Sequence, residues 1–157
     1  MATITMNGSD AVSASLAECY VTVGTNRYNF MQMINFEATV TKNKTVIPIL
    51  GQTGKGNKAN GWNGVFKGKA HYNQSVFRQM LMEYKASGED IYFDIQVTNS
   101  DPASSAGKQT IIFTGCNIDG GVLAKFDAEG DYLSEDISGT FEDFKMPKKF
   151  KLLDGME

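Results

Sequence analysis

The sequence has few of the residues on which catalytic and metal sites depend. Its 157 residues include two cysteines, Cys19 and Cys116, and one histidine, His71. Neither cysteine has another Cys or His at ligand spacing, and one histidine cannot supply a catalytic triad or a zinc site. We therefore predict two buried, reduced thiols and a solvated His71, and we expect no enzymatic activity, metal or cofactor.

Long apolar runs are also absent. No stretch approaches the roughly 20 apolar residues that span a bilayer, and the start of the chain lacks the basic and apolar regions of a secretory signal. We expect a cytoplasmic product that does not insert into a membrane. With 41% hydrophobic and 21% charged residues, residues 1–157 are predicted to form one soluble domain.

Acidic residues are missing from one long stretch, Thr41–Lys69, although the chain as a whole has a net charge of −3. The stretch carries six lysines: Lys42, Lys44, Lys55, Lys58, Lys67 and Lys69. Its centre, Gly51–Gly61, is rich in glycine and has no large apolar side chain, so it cannot form a core of its own. The pattern predicts an extended loop over 42–62 that is mobile in the isolated chain and is ordered by a partner.

The acidic residues are concentrated later in the chain. Between Asp119 and Asp143 eight acidic residues are opposed by Lys125 alone. The candidate docking residues in this segment are Asp127, Glu129, Asp131, Glu135 and Asp136. They do not have the spacing of a calcium loop. A basic loop and an acidic face on one chain are self-complementary, and a heterologous contact of this kind produces rings or filaments.

Alternation of apolar and polar residues predicts a chain made mainly of strands. The first 18 residues are small and polar and predict a flexible N-terminal arm. The predicted strands are Cys19–Val23, Tyr28–Thr41 with a break near Met33, Val46–Leu50 at a sheet edge because of Pro48, Trp62–Tyr72, Ile91–Thr98, Gln109–Ile118, Val122–Phe126 and Asp136–Phe144. Pro147 is expected to end the regular structure.

One helix is predicted over residues 74–86. Its apolar residues recur at i, i+3, i+4 and i+7: Phe77, Met80, Leu81 and Tyr84. Asn73 or Ser75 can cap its start, and Gly88 can end it. The fold class that follows is mainly β (α+β), an antiparallel β-sandwich or barrel with one packed α-helix and a long extended hairpin loop.

The string GQTGKG, residues 51–56, is similar to a phosphate-binding loop but does not fit that motif. The motif needs a glycine where Ile49 stands and a helix after the loop, whereas a strand is predicted here. Nucleic-acid binding through the lysine-rich loop, 42–69, remains as an alternative function for a monomeric β module that binds a nucleic acid or another partner. One tryptophan, no arginine in the loop and an acidic protein make it the weaker alternative.

The chain resembles the tail tube proteins of contractile phage tails and of phage-tail-like particles of the R-type bacteriocin and defective prophage type. Four stretches carry the resemblance, in order over about three quarters of the sequence: Phe36–Lys44, Gly51–Gly64, Phe77–Phe93 and Thr140–Pro147. The resemblance implies a subunit that assembles into hexameric rings, which stack as a hollow tube inside a contractile sheath.

The resemblance also implies partners and surfaces. The partners are other copies of the chain, the sheath protein, baseplate or initiator proteins and tube-terminating proteins; DNA would only pass through the lumen of an infective particle. Assembly would occur in the bacterial cytoplasm and end in a released virion or tail-like particle. The implied inter-subunit loop residues are Lys42, Lys44, Gly51, Gly54, Lys55, Lys58, Asn60, Gly61 and Trp62. The lumen-facing candidates are Asn35, Glu37, Thr39, Lys67 and Lys69.

Overall fold

The computed structural model describes residues 5–156, which form eight strands, one α-helix and a short 3-10 helix at Gly8–Asp10. The strands are β1 (Ala17–Val23), β2 (Asn26–Asn29), β3 (Met33–Ile47), β4 (Gly56–His71), β5 (Phe93–Ser100), β6 (Lys108–Ile118), β7 (Ser134–Phe141) and β8 (Asp143–Lys148). The helix α1 spans Val76–Ser87. The mainly β class with one helix is confirmed. The described strands do not close into a barrel.

The chain forms two compact units, and the first contains 5–33, Tyr92–Cys116 and 143–156. Its antiparallel strands follow the order β2-β1-β5-β6, with β8 on the other side of β6. Its core contains apolar side chains from three strands. These are Val21, Phe93, Ile95, Phe113 and Cys116. Pro147 lies inside β8 and does not end the regular structure as predicted, because β8 pairs only with β6 and an edge strand tolerates proline.

The N-terminal segment is hydrogen-bonded to the loop that follows β5. The Asp101 carboxylate is buried and accepts bonds from the backbone N–H groups of Ser13 and Ala103, both at 2.9 Å. The Ser105 N–H donates to the carbonyl of Ser9 at 3.1 Å. Part of the predicted flexible arm, 1–18, is therefore attached to the rest of the unit; residues 1–4 lie outside the described residues, and the arm's mobility stays a prediction.

The second unit, Ile34–Ile91 and Asn117–Glu142, contains the order β7-β4-β3, the last two residues of β6 and helix α1. In β4 the alternation is strict: Gly64, Phe66, Gly68 and Ala70 are buried, and the residues between them are exposed. The period-2 pattern predicts Trp62, Phe66, Ala70 and Tyr72 on one inward face. Phe66 and Ala70 are buried as predicted, whereas Trp62 is 40% exposed. Strand β3 lies at the end of the strand order and is therefore an edge strand. The edge position predicted from Pro48, which directly follows β3, is confirmed.

Helix α1 begins after Ser75 and ends at Gly88, which has the left-handed φ of 76° that glycine adopts without strain. Phe77 and Met80 are buried as the stripe predicts. Tyr84 was also predicted to pack and is exposed, so the predicted stripe is one turn too long. The helix therefore covers the sheet with its N-terminal half.

One predicted strand is absent, and the bounds of three others are wrong. Val122–Phe126 forms no strand; it belongs to a segment without regular structure between β6 and β7, because its backbone bonds to side chains instead of to a strand. Asp136–Phe144 is divided between β7 and β8. The break near Met33 is a complete interruption between β2 and β3, and Val46–Leu50 is not a separate strand because β3 continues to Ile47.

The two thiols lie in the first unit. Cys116 is fully buried, which confirms that prediction, whereas Cys19 is partly exposed. Burial, and secondarily the nearby Asp94 charge, raises the pKa of Cys116 to about 12, and burial raises the pKa of Cys19 to about 11. Both side chains are therefore protonated at neutral pH, which makes them poor nucleophiles.

We expect Cys116 to resist alkylation by iodoacetamide at about pH 8 in the folded chain and to react in urea. The folded state keeps the Cys116 proton, whereas an unfolded thiol loses it near pH 8.5. Stability should therefore fall as the pH rises from about 9 toward 12, because the unfolded state binds fewer protons there. Mass spectrometry gives the modified site. Rapid labelling of Cys116 without unfolding would contradict its burial.

Candidate assembly interface

The hairpin formed by β3 and β4 reaches beyond the folded body of the second unit. We call residues 42–62 the hairpin arm; all of them except Gly56 are exposed. Both sides of the arm are strands, and the connection between them is only the eight residues 48–55. Backbone pairing between β3 and β4 thus gives the arm a defined path although few of its side chains are buried.

The predicted inter-subunit residues are spread along this arm. Lys42 and Lys44 lie on β3, Lys58 lies on β4, and Lys55 lies in the connection, with all four side chains exposed. Gly51 and Gly54 also lie in the connection, and Asn60 and Gly61 lie on β4. The side-chain amide of Asn60 donates to the Thr45 hydroxyl at 3.0 Å across the two strands. The arm therefore presents positive charge along most of its length.

Trp62 lies at the base of the arm. Its ring centroid is 6.2 Å from that of Phe141 on β7, and its side chain is still 40% exposed. Phe141 in turn packs against Gly64, where an added Cβ would come within 2.4 Å of the ring. Trp62 thus packs against Phe141 and keeps part of its surface exposed, so it can bury more area against another chain.

The lumen-facing candidates lie together on the exposed face of the second unit's sheet. Asn35, Glu37, Lys67 and Lys69 line one shallow depression, and Thr39 is exposed two residues beyond Glu37 on the same strand. Lys69 is paired in register with Asp136. This face therefore carries both acidic and basic side chains. Asp136, which was predicted as a docking residue, lies on it.

The acidic candidates do not form one surface. Asp127, Glu129 and Asp131 are exposed in the segment 119–133, where the Asp127 carboxylate accepts the Glu129 N–H at 3.1 Å. The prediction of Glu135 as a docking residue is wrong, because its side chain is buried and cannot contact a neighbouring subunit. The alternation of Glu135 with Ile137 and Phe141 was the sequence signal for its inward direction.

The partner of Glu135 is Arg78, which sequence reasoning missed. The Arg78 guanidinium lies 2.7 Å from the Glu135 carboxylate, and the Gln74 amide donates to the same carboxylate at 3.0 Å. Arg78 also donates to the backbone carbonyls of Gln74 and Val122 and lies 4.3 Å from the centroid of the Tyr72 ring. One side chain on α1 thus holds β7 and the segment 119–133 in place.

The described residues contain neither a metal-binding cluster nor a membrane-spanning helix. Across 5–156 no group of three or more His, Cys, Asp or Glu side chains lies close enough to hold a metal ion. Over the same residues no helix has the length and apolar character needed to cross a membrane. What the second unit does present is an exposed arm, a polar sheet face and an acidic segment.

Comparison with known proteins identifies the family. Residues 4–148 match the model of the phage tail tube protein family. The chain belongs to this family. It is 34% identical over 114 residues to the phage-like element PBSX protein XkdM of Bacillus subtilis strain 168, covering 73% of this chain and 78% of that relative. The tail tube family thus accounts for nearly all of the chain.

Solved structures share the tail tube fold at low identity. A chain in the baseplate of the anti-feeding prophage has a TM-score of 0.66 at 12% identity, covering 87% of this chain and 94% of that one. A chain in the sheath-tube complex of an extracellular contractile injection system has a TM-score of 0.60 at 12% identity, covering 90% and 98%. The fold of this tail tube family member is therefore the one used in contractile particles.

Proposed function

We propose that the chain is a structural protomer of the inner tube of a contractile tail, in which hexameric rings stack into a hollow tube inside a sheath. The hairpin arm carries the proposal. Two paired strands, exposed over 42–62 and without an acidic residue, belong to a chain of the tail tube family. An exposed ribbon costs backbone entropy that contacts with a neighbouring subunit can offset.

The partners follow from the same assignment. Related folds occur in a baseplate and in a sheath-tube complex, which supports contacts of this protein with a sheath and with a baseplate or initiator. A tube-terminating protein would be a further partner. The protein would have no catalytic activity, would assemble in the bacterial cytoplasm and would leave as part of a virion or tail-like particle. DNA would meet it only in the lumen of an infective particle.

Two faces would have separate roles in the tube. The polar face around Glu37, Lys67 and Lys69 would line the lumen, because exposed polar residues on a sheet suit a water-filled channel. The arm's lysines would meet Asp127, Glu129 and Asp131 of another copy. Single exposed ion pairs contribute only about 0–1 kcal/mol each, so Trp62 and backbone pairing would contribute more to the contact.

Negative-stain electron microscopy of the concentrated pure protein tests the proposal. We expect rings or hollow tubes, accompanied by strong light scattering. A matched variant replaces 48–55 with Asn-Gly, a sequence that favours a tight two-residue hairpin turn. It should fold and remain soluble but form no tubes.

A different result would favour the alternative function. A chain that stays monomeric at high concentration and binds single-stranded DNA in a salt-sensitive manner would be a nucleic-acid-binding module and not a tube subunit.

A further inference from the structure

The tip of the hairpin arm and the acidic segment share a second property besides their opposite charges, since both expose large apolar side chains. At the tip, Leu50 is fully exposed and Ile49 is 43% exposed. In the segment 119–133, Phe126 is 92% exposed and Leu123 is 71% exposed. Leu50 and Phe126 thus leave nearly their whole surface open within the chain.

The segment 119–133 has a defined backbone although it has no regular secondary structure. The Asp119 N–H donates to the Ser138 carbonyl at 2.9 Å, and the Lys125 ammonium donates to the Ser134 carbonyl at 2.8 Å. The Arg78 guanidinium donates to the Val122 carbonyl at 3.2 Å, and the Tyr72 hydroxyl donates to the Leu123 carbonyl at 3.4 Å. Phe126 is therefore exposed on an anchored segment, and a partner need not order that backbone when it binds.

The charges around the two apolar groups are opposite. The hairpin arm has four lysines and no acidic residue, whereas the segment 119–133 has four acidic residues and one lysine. That lysine, Lys125, is held at the Ser134 carbonyl. An apolar centre with a charged rim is the usual anatomy of a protein interface, and here the two rims complement each other.

We propose that the tip of the hairpin arm of one copy docks on the segment 119–133 of a second copy, with Ile49 and Leu50 against Leu123 and Phe126. Lys55 and Lys58 then lie near Asp127 and Glu129. This contact presupposes the tube proposed above and names the surface that receives the arm. Apolar burial supplies most of its stability, and the charges set its orientation.

Matched substitutions separate the two contributions. Phe126→Ser should raise the protein concentration needed for tube formation by roughly tenfold, as truncation of an aromatic anchor does at interfaces. Asp127→Asn should raise it by only about twofold, because its ion pair is exposed. Met82→Ser is the control: Met82 is 63% exposed on α1 and lies outside both surfaces, so assembly should be unchanged.

Cysteine pairing identifies the contact directly. In a Cys19→Ser background, tagged Leu50→Cys chains are mixed with untagged Phe126→Cys chains under assembly conditions and oxidised. The expected product is a disulfide-linked dimer with one chain of each type. A mixture of Leu50→Cys with Met82→Cys should give little of this dimer. The buried Cys116 does not compete.

The outcomes distinguish this contact from the tube itself. If the wild-type chain forms tubes but Leu50→Cys pairs no better with Phe126→Cys than with Met82→Cys, the docking surface is wrong and the tube function stands. If Asp127→Asn weakens assembly more than Phe126→Ser does, the contact is ionic and the proposal is overturned. If the wild-type chain remains monomeric, the tube function and this contact both fail.

Discussion

Replacing Arg78 with methionine is expected to lower the free energy of unfolding by about 3–5 kcal/mol, because it leaves the Glu135 carboxylate buried without its cation. Glu135 is 4% exposed and would retain only the Gln74 amide among its hydrogen-bond donors. The substitution also removes the donor to the Val122 carbonyl at 3.2 Å. Urea unfolding followed by circular dichroism measures the change as a lower midpoint.

The chain contains its own control for this prediction. Arg27, the only other arginine, lies over the Tyr20 ring at 4.2 Å on an exposed strand, so Arg27→Met should cost less than about 1 kcal/mol. The double variant Arg78→Met, Glu135→Leu should recover much of the loss, since an apolar pair often replaces a buried ion pair without cost. Arg78→Met with wild-type stability would show that Glu135 does not depend on its ion pair.

Replacing Gly139 with alanine is expected to destabilise the second unit by about 3 kcal/mol or more, the upper end of the cost of overpacking. An alanine Cβ would lie 2.1 Å from the carbonyl oxygen of Asn117 and 2.7 Å from the Phe66 ring. The nearest atom belongs to the backbone and cannot rotate away. Differential scanning calorimetry should show a lower midpoint or no cooperative transition.

Two other glycines calibrate this effect. Gly54 has no heavy atom within 4 Å of an added Cβ, so Gly54→Ala should change stability by less than about 0.5 kcal/mol. Gly64→Ala should fall between the two, because the atoms nearest to its Cβ belong to the Phe141 side chain and not to the backbone. Equal stabilities for Gly54→Ala and Gly139→Ala would mean that β6 and β7 are not paired as described.

The period-2 pattern was enough to predict most strands and the buried positions Phe66 and Ala70 of β4, but not the exposure of Val40 and Trp62. The helix and its glycine stop were also readable, because α1 follows a local 3.6-residue period and ends at Gly88. The exposed basic arm was predicted from composition alone. These features depend on residues that are close in sequence.

The remaining features depend on residues that are distant in sequence. The glycines of Gly51–Gly61 predicted a segment without regular structure, but strand β4 begins within it, at Gly56. Backbone pairing with β3 forms this strand, because such pairing needs no side chains. The ion pair between Arg78 and Glu135 spans 57 positions, and no local pattern announces it. The hydrogen bonds that hold the segment 119–133 also come from residues distant in sequence, Arg78 and Tyr72, so no local pattern predicts them.

Tyr72 and Arg78 support the segment 119–133 through its backbone. Both side chains lie outside the segment and bind its carbonyl groups, which every amino acid possesses. The residues that the segment displays can therefore change during evolution while the frame that displays them remains. In the proposed tube, two chains with the same frame and different displayed residues would sort into separate polymers within one cell.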